Sequence, residues 1–421
     1  MKTGFKATLL KPLEQFLQSE AKGGFILFGC AVLAIIVANS PLANSYFGLK
    51  EVPLALTVGD WQLEKSLASW VKDLLMAFFF LLVGLEIKRE IVQGELSNPR
   101  RAALTIVAAI GGMLVPALIY VLFNRGTDGI AGWGIPMATD IAFALGVLSL
   151  LGKRVPLGLK VFLTAFAIVD DLGAILVIAF FYTSSLDLTA LLIALAFFAL
   201  AFMLGRLQVE PLIFYILIGV FMWYFTLQSG ISPTVAAVLL ATTIPLAQRD
   251  VAKNAHKVTT SEQGQPMGHD TDSPLHRLEH ILQPWSAYFI LPVFAFMNAG
   301  VALAGAQFGA VALGVFLGLL LGKPLGIFLL CYLAVQLKIA ALPEGVNWPM
   351  ILGAGFLGGI GFTMSLFVAG LAFPGSPLLD QAKLGVLSSS VVSAVIGLTL
   401  VSRALAARQG TVVPIQSQTQ R

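Results

Sequence analysis

Twelve separate stretches of this chain are apolar for long enough to cross a lipid bilayer. They lie near 23–40, 70–85, 103–123, 130–151, 157–182, 188–204, 210–225, 228–246, 284–304, 309–336, 347–371 and 384–402. A spanning helix needs roughly 20 predominantly apolar residues, so the expected fold class is an all-α polytopic membrane protein with twelve transmembrane helices. Only 11% of the 421 residues are charged and 57% are hydrophobic, whereas a soluble domain carries about 25% charged residues. The divisions at 204–210 and 225–229 are the least marked, because the turns there are very short.

Loop charge fixes the orientation. With the N-terminus in the cytoplasm, 20 of the 26 Lys and Arg residues fall on the inner side. Five, Lys50, Lys65, Lys72, Arg125 and Lys383, fall on the outer side, and Lys323 alone lies within a span. That bias is the positive-inside pattern, and it puts both termini in the cytoplasm. Basic residues spread over many loops argue against a nucleic-acid surface. The first apolar stretch follows Lys2, Lys6, Lys11 and Lys22, which a cleaved signal peptide would also show. The long leader and the lack of a small-x-small site favour a retained first helix.

The chain therefore divides into a cytoplasmic N-terminal segment over 1–22, a transmembrane domain over 23–405 and a cytoplasmic tail over 406–421. Within the domain, 41–66 is an outer loop. Its runs Leu54 to Val58 and Trp61 to Leu63 flank Gly59-Asp60 and read as a β-hairpin. The polar stretch 247–283 reads as a cytoplasmic loop and holds all four histidines, His256, His269, His276 and His280. Cys30 and Cys331 lie in apolar stretches and read as small hydrophobes in helix interfaces. No metal-ligand cluster and no cofactor is expected.

A charged side chain at the bilayer centre costs about 3 kcal/mol or more, so its default reading is functional. Asp140, the adjacent pair Asp170 and Asp171, and Lys323 meet that description. A structural ion pair fixing helix packing is the competing reading, weightiest for Lys323. Neighbouring residues on a helix point about 100° apart, yet both carboxylates of the pair can reach one cavity. Two unit charges about 5 Å apart at an effective dielectric of 20 repel by roughly 3 kcal/mol. A proton or a cation relieves that repulsion, so the two compete for one site. Such competition, with the site facing one side at a time, is the requirement for an exchanger.

Asp140 follows Gly132, Gly134 and Pro136, and proline removes a helical hydrogen bond. A second interrupted span carries Gly355, Gly358, Gly359 and Gly361. Two glycine- or proline-broken spans in the two halves of a membrane protein point to its binding site. Asp140 can neutralise helix N-terminal ends there and Lys323 C-terminal ends. Gly314, Gly318, Gly322 and Gly326, spaced at four, read instead as a close-packing stripe.

The motifs ATDIAFALGVL, AIVDDLGAIL, GLEIKRE, RLEHIL, FAFMNAGV, GKPLGI and GGIGFTMSLF resemble those of the NhaA-type sodium/proton antiporters over roughly 10–405. The inverted-repeat architecture is a known property of that family and is carried by the resemblance. The resemblance implies broken fourth and eleventh helices crossing at mid-membrane, with Thr139, Pro136, Gly358, Gly359 and Gly361 at the breaks. It implies that Asp170 and Asp171 bind the sodium or lithium ion and protons. It implies that Asp140 and Lys323 compensate the broken-helix dipoles, with Lys323 able to pair Asp170. It also implies electrogenic exchange of two protons per ion, activation at alkaline pH, a bacterial inner membrane and a homodimer joined through the hairpin at 54–63. A pH-sensing cluster is matched by Glu86, Arg89, Glu90, Glu279 and His280, and Asp73 matches an acidic position of the second helix. Ser232 and Gln283 stand where some members have histidine, which leaves the working pH range open.

The alternative on a similar fold is a sodium-coupled organic-solute symporter. An intramembrane aspartyl protease pairs aspartates on two helices, one in a Gly-x-Gly-Asp motif; this chain has no such motif, and its strongest pair is adjacent on one helix. A passive channel would lack saturable, reciprocal coupling.

Overall fold

The computed structural model describes residues 22–183, 186–246, 273–304 and 307–410. Most of them are helical, with one two-stranded sheet. Among the described residues, seven helices are long and apolar enough to cross a membrane, or up to ten if each bent helix pair is one span. The protein is thus an all-α polytopic membrane protein.

Helix α1 (Lys22–Ala38) turns by 112° into α2 (Ala43–Glu51). Strands β1 (Pro53–Val58) and β2 (Trp61–Ser66) then pair antiparallel, with Val58 opposite Trp61. Gly59 has φ +60° and Asp60 does not share a positive φ, the pattern of a two-residue turn with glycine first, which suits strand twist. The indole of Trp70 donates to the Leu54 carbonyl and ties the hairpin to α3 (Leu67–Val92).

The remaining elements follow in order: α4 (Pro99–Asn124), a 3₁₀ segment Asp128–Met137, α5 (Ile141–Ser149), α6 (Leu157–Phe181), α7 (Leu188–Arg206), α8 (Leu212–Gln228) and α9 (Pro233–Thr243). After them come α10 (Pro274–Ala299), α11 (Ala310–Gln336), α12 (Trp348–Gly358), α13 (Phe362–Ala372) and α14 (Leu378–Gly410). Their starts carry the expected chemistry. Asp187 accepts from the amides of Thr189 and Ala190, Asn347 accepts from Met350, and Ser273 accepts from His276 ahead of Pro274. That last cap shortens the polar loop expected over 247–283, because Pro274 onward is helical. Its first part, with His256 and His269, lies outside the described residues, as do residues 1–21 and 411–421. Helix α14 also runs past the boundary expected at 405.

Two interruptions matter most. The 3₁₀ segment meets α5 at 45°, and α12 meets α13 at 44°. Between them run α4 and α11, whose backbones touch where Gly111 meets Gly326. A Cβ at Gly111 would overlap the Gly326 carbonyl, and one at Gly326 would overlap that of Gly111. Gly318 and Gly322 pack on Pro116 in the same seam, and Gly314 packs on Tyr120 and Asn124. The stripe of four glycines is therefore a packing face, and buried Cys331 sits in the same interface with Sγ 3.9 Å from the Leu104 carbonyl. Fully buried aromatic residues, Phe80, Phe294 and Phe367, fill the interior beside the breaks.

Candidate functional site

The two breaks expose backbone groups that a continuous helix would have paired, and each finds a partner across the other break. The amide of Asp140 donates to the Ile360 carbonyl at 2.7 Å. The Thr139 hydroxyl donates to the Gly358 carbonyl at 2.8 Å, and that of Ser365 to the Ile135 carbonyl at 2.8 Å. Asp140 caps two helices at once. Its Oδ1 accepts from the Phe143 amide at the start of α5. Its Oδ2 accepts from the amide and hydroxyl of Thr363 at the start of α13. Buried helix ends need such partners, and the positive N-terminal ends attract a carboxylate.

Lys323 sits at the opposite pole of the same junction. It directly follows a wide π-type turn over Gly318–Gly322. Such turns cluster at functional positions because they re-aim the following side chain. The ammonium donates to the carbonyl of Met137, the last residue of the 3₁₀ segment. It also reaches Asp170 Oδ2 at 2.8 Å. Both side chains are 0% exposed. A charge this deep persists only when paired and hydrogen-bonded.

Asp170 and Asp171 lie near the middle of α6, both buried. Oδ1 of each is buried with no hydrogen-bond donor reaching it. Asp171 lies within electrostatic reach of Asp170, Lys323, Asp140 and Glu86, and Thr139 neighbours Asp170. The junction thus brings together four of the ionisable groups expected from sequence, Asp140, Asp170, Asp171 and Lys323, with Thr139 and Gly358 in the same network. Pro136 packs on Gly318, Gly359 lies against the Leu319 carbonyl, and Gly361 against Ser365.

A second polar cluster joins α3 to α10. Arg89 pairs with Glu279, and Glu90 lies 3.4 Å from Arg89 while accepting from the Glu95 amide. Glu86 is buried on the same face of α3. His280 is exposed. The histidine that faces Glu279 is His276, with Nδ1 3.6 Å from the carboxylate. Ser232 meets Thr234 at 2.8 Å, and the Gln283 amide nitrogen is buried without a partner. Asp73 pairs with Lys65 of β2.

Residues 14–401 match the family described as Na+/H+ antiporter 1. The chain belongs to that family. It is 49% identical over 411 residues to the Na(+)/H(+) antiporter NhaA of Helicobacter pylori strain HPAG1, covering 91% of this chain and 94% of that protein. It is 51% identical over 397 residues to Na(+)/H(+) antiporter NhaA 2 of Pseudomonas savastanoi pv. phaseolicola, covering 93% and 95%. The family consists of transporters, not enzymes.

In this Na+/H+ antiporter 1 family member, several contacts escaped the sequence reading. Thr363, Ser365 and the Met137 carbonyl complete the junction, yet a threonine or serine in an apolar stretch carries no signal of its own. Lys88 is a further case. Its ammonium donates to the Thr242 and Ile244 carbonyls at the end of α9, a C-terminal cap joining residues 154 and 156 positions apart.

Proposed function

We propose that this chain is a secondary active, electrogenic antiporter that expels sodium or lithium ions in exchange for protons. The observation that carries the reading is the fully buried Lys323–Asp170 pair beside Asp171, with one oxygen of each carboxylate reached by no protein donor. Alkali cations take hard oxygen ligands, and two carboxylates on one helix turn offer them. An entering ion competes with the Lys323 ammonium for Asp170. The two carboxyls and the ammonium hold at most three protons between them. Giving up two for one sodium ion moves one net charge per cycle, which is the electrogenic stoichiometry.

The proposed architecture is twelve spans with inverted repeats. It counts the seven long helices, α1, the two junction pairs, and the shorter α8 and α9. The fourth and eleventh spans are the pairs that break at Asp140 and Gly359. Asp140 and Lys323 neutralise the exposed ends, so the junction can shift with little electrostatic cost and open the site to either side. The proposed setting is a bacterial inner membrane with both termini cytoplasmic. The proposed assembly is a homodimer joined through the hairpin, and the α3–α10 cluster is proposed to tune activity to pH.

Purified protein in liposomes holding a pH dye tests the reading. Sodium or lithium addition should collapse a preset pH gradient without any organic solute, and Asp170→Asn or Asp171→Asn should abolish that response. Exchange persisting in both variants would remove the pair from the mechanism. A strict need for an organic solute would favour a symporter.

A further inference from the structure

The 3₁₀ segment Asp128–Met137 runs for ten residues, whereas 3₁₀ runs longer than about four are uncommon because their hydrogen bonds are poorly aligned. Side chains from four helices supply donors to its carbonyls. The Tyr120 hydroxyl of α4 donates to Gly129 at 2.6 Å. Ser365 of α13 donates to Ile135, and the Lys323 ammonium of α11 donates to Met137. The fourth donor is Tyr182, at the C-terminal end of α6.

Tyr182 does more than donate. Its hydroxyl donates to the Ala131 carbonyl at 2.9 Å and accepts from the Gly134 amide at 3.1 Å. Those are the two groups that a 3₁₀ turn joins to each other, three residues apart, so the phenol oxygen bridges the turn. Gly134 permits the approach, because a Cβ there would stand 2.8 Å from that oxygen. Beside it Trp133 meets Phe181 edge-on, with ring centroids 5.0 Å apart. Met137 lies one further turn along, at three residues per turn, and its carbonyl takes the Lys323 ammonium. Helix α6 therefore grips this segment twice: directly at Tyr182, and through Lys323 at Asp170.

We propose that Tyr182 is a positioning residue of the ion site, which keeps the Met137 carbonyl beside the Lys323 ammonium by bridging the turn before it. The inference rests on the antiport reading of that site. When an ion displaces Lys323 from Asp170, the ammonium needs another acceptor, since a buried charge persists only with hydrogen-bonded partners. The Met137 carbonyl is that acceptor, and it serves only while the segment holds its register. Without the phenol bridge the carbonyl drifts, the ammonium turns wholly to Asp170, and an entering ion meets a closer competitor. About 18 Å of helix separates Tyr182 from Asp170, so its effect falls on ion affinity and not on the turnover of a loaded site.

The test is proton movement in liposomes, titrated with sodium, for the wild type, Tyr182→Phe and Tyr120→Phe. Tyr182→Phe should raise the apparent KM for sodium about fivefold, the scale of part of a hydrogen bond to a charged group, and leave the maximal rate within about twofold. Tyr120→Phe should leave KM within about twofold, because Gly129 lies far from Met137 along the segment. A residue that merely stabilises the fold would lower the amount of active protein, and so the maximal rate, with KM unmoved. Hydrogen–deuterium exchange of residues 131–137 in detergent adds a readout without transport, and Tyr182→Phe should speed it. An unmoved KM in Tyr182→Phe overturns the inference, as do an equal rise in Tyr120→Phe and unchanged hydrogen exchange. A wild type that moves no protons on sodium addition sinks the antiport reading itself, and this inference with it.

Discussion

Asp140 and Thr363, 223 residues apart, are joined by two hydrogen bonds from Thr363 to one carboxylate oxygen. Through the other oxygen Asp140 holds α5, so one side chain fixes the relative position of two helix starts. A hydrogen bond to a charged group contributes about 1.5–3 kcal/mol. Thr363→Val removes the hydroxyl and keeps the amide, and it should lower the thermal unfolding midpoint in detergent. Thr363→Ser should restore it, which separates the hydroxyl from the methyl group. An unchanged midpoint in the valine variant would show that the amide alone suffices.

The Lys323–Asp170 pair predicts strong non-additivity. Removing one partner of a buried pair leaves an uncompensated charge and costs about 3–5 kcal/mol, whereas removing both can be nearly neutral. Lys323→Met should therefore destabilise the protein markedly. Lys323→Met/Asp170→Asn should regain most of the loss in unfolding midpoint but not sodium-driven proton movement. Additive losses would argue that the pair contributes no coupling.

The α3–α10 cluster carries a pH prediction. Glu279→Lys sets a second cation against Arg89 and should move the pH of half-maximal exchange by more than about half a unit if the cluster governs access. His276→Gln should move it in part, and His280→Gln, at an exposed position, should not. A uniform change in apparent sodium affinity with an unmoved midpoint would reduce the cluster to surface electrostatics.

Lys50, in the outer loop, lies over the ring of Tyr46 at 4.3 Å. Burial, and secondarily Lys383, pushes its ammonium from 10.5 down to about 7. Between those values the unfolded chain binds more protons than the folded one, so stability rises with pH across that window. The penalty is complete below about 7. Lys50→Met should raise the unfolding midpoint near pH 6 and leave it unchanged above roughly pH 11. An equal gain at both pH values would mean that the methyl thioether merely packs better.

Deleting Leu54 to Leu63 should weaken dimerisation and preserve exchange, since no residue of the junction lies there. Crosslinking yield reports the first and liposome transport the second. An unchanged dimer fraction would assign the assembly to another surface.

Much of this site was legible in the sequence, for a definite reason. A carboxylate or ammonium inside an apolar run is costly enough to stand out, so Asp140, Asp170, Asp171 and Lys323 declare themselves. Glycine and proline likewise mark where a helix is interrupted. The hairpin was legible from Gly59-Asp60, although its strands reach Pro53 and Ser66. Pairings were not legible. Nothing in one dimension says that Lys323 meets the Met137 carbonyl, or that His276 and not His280 faces Glu279. The start of α10 was missed because RLEHILQ is amphipathic, and polar composition alone reads as loop.

The glycine seam has a mechanical corollary. Where Gly111 meets Gly326 the backbones touch directly, so α4 and α11, which carries Lys323, have little room to slide past one another there. Helix α6 meets α4 more softly, with Gly173 resting on the thioether of Met113, a side chain that re-packs readily. On the proposed antiport reading, relative motion at the ion pair is expected at the softer α6 contact, with the glycine seam held together. For distance measurements by paired spin labels, a label pair across α4 and α11 is expected to change least, and one across α4 and α6 most.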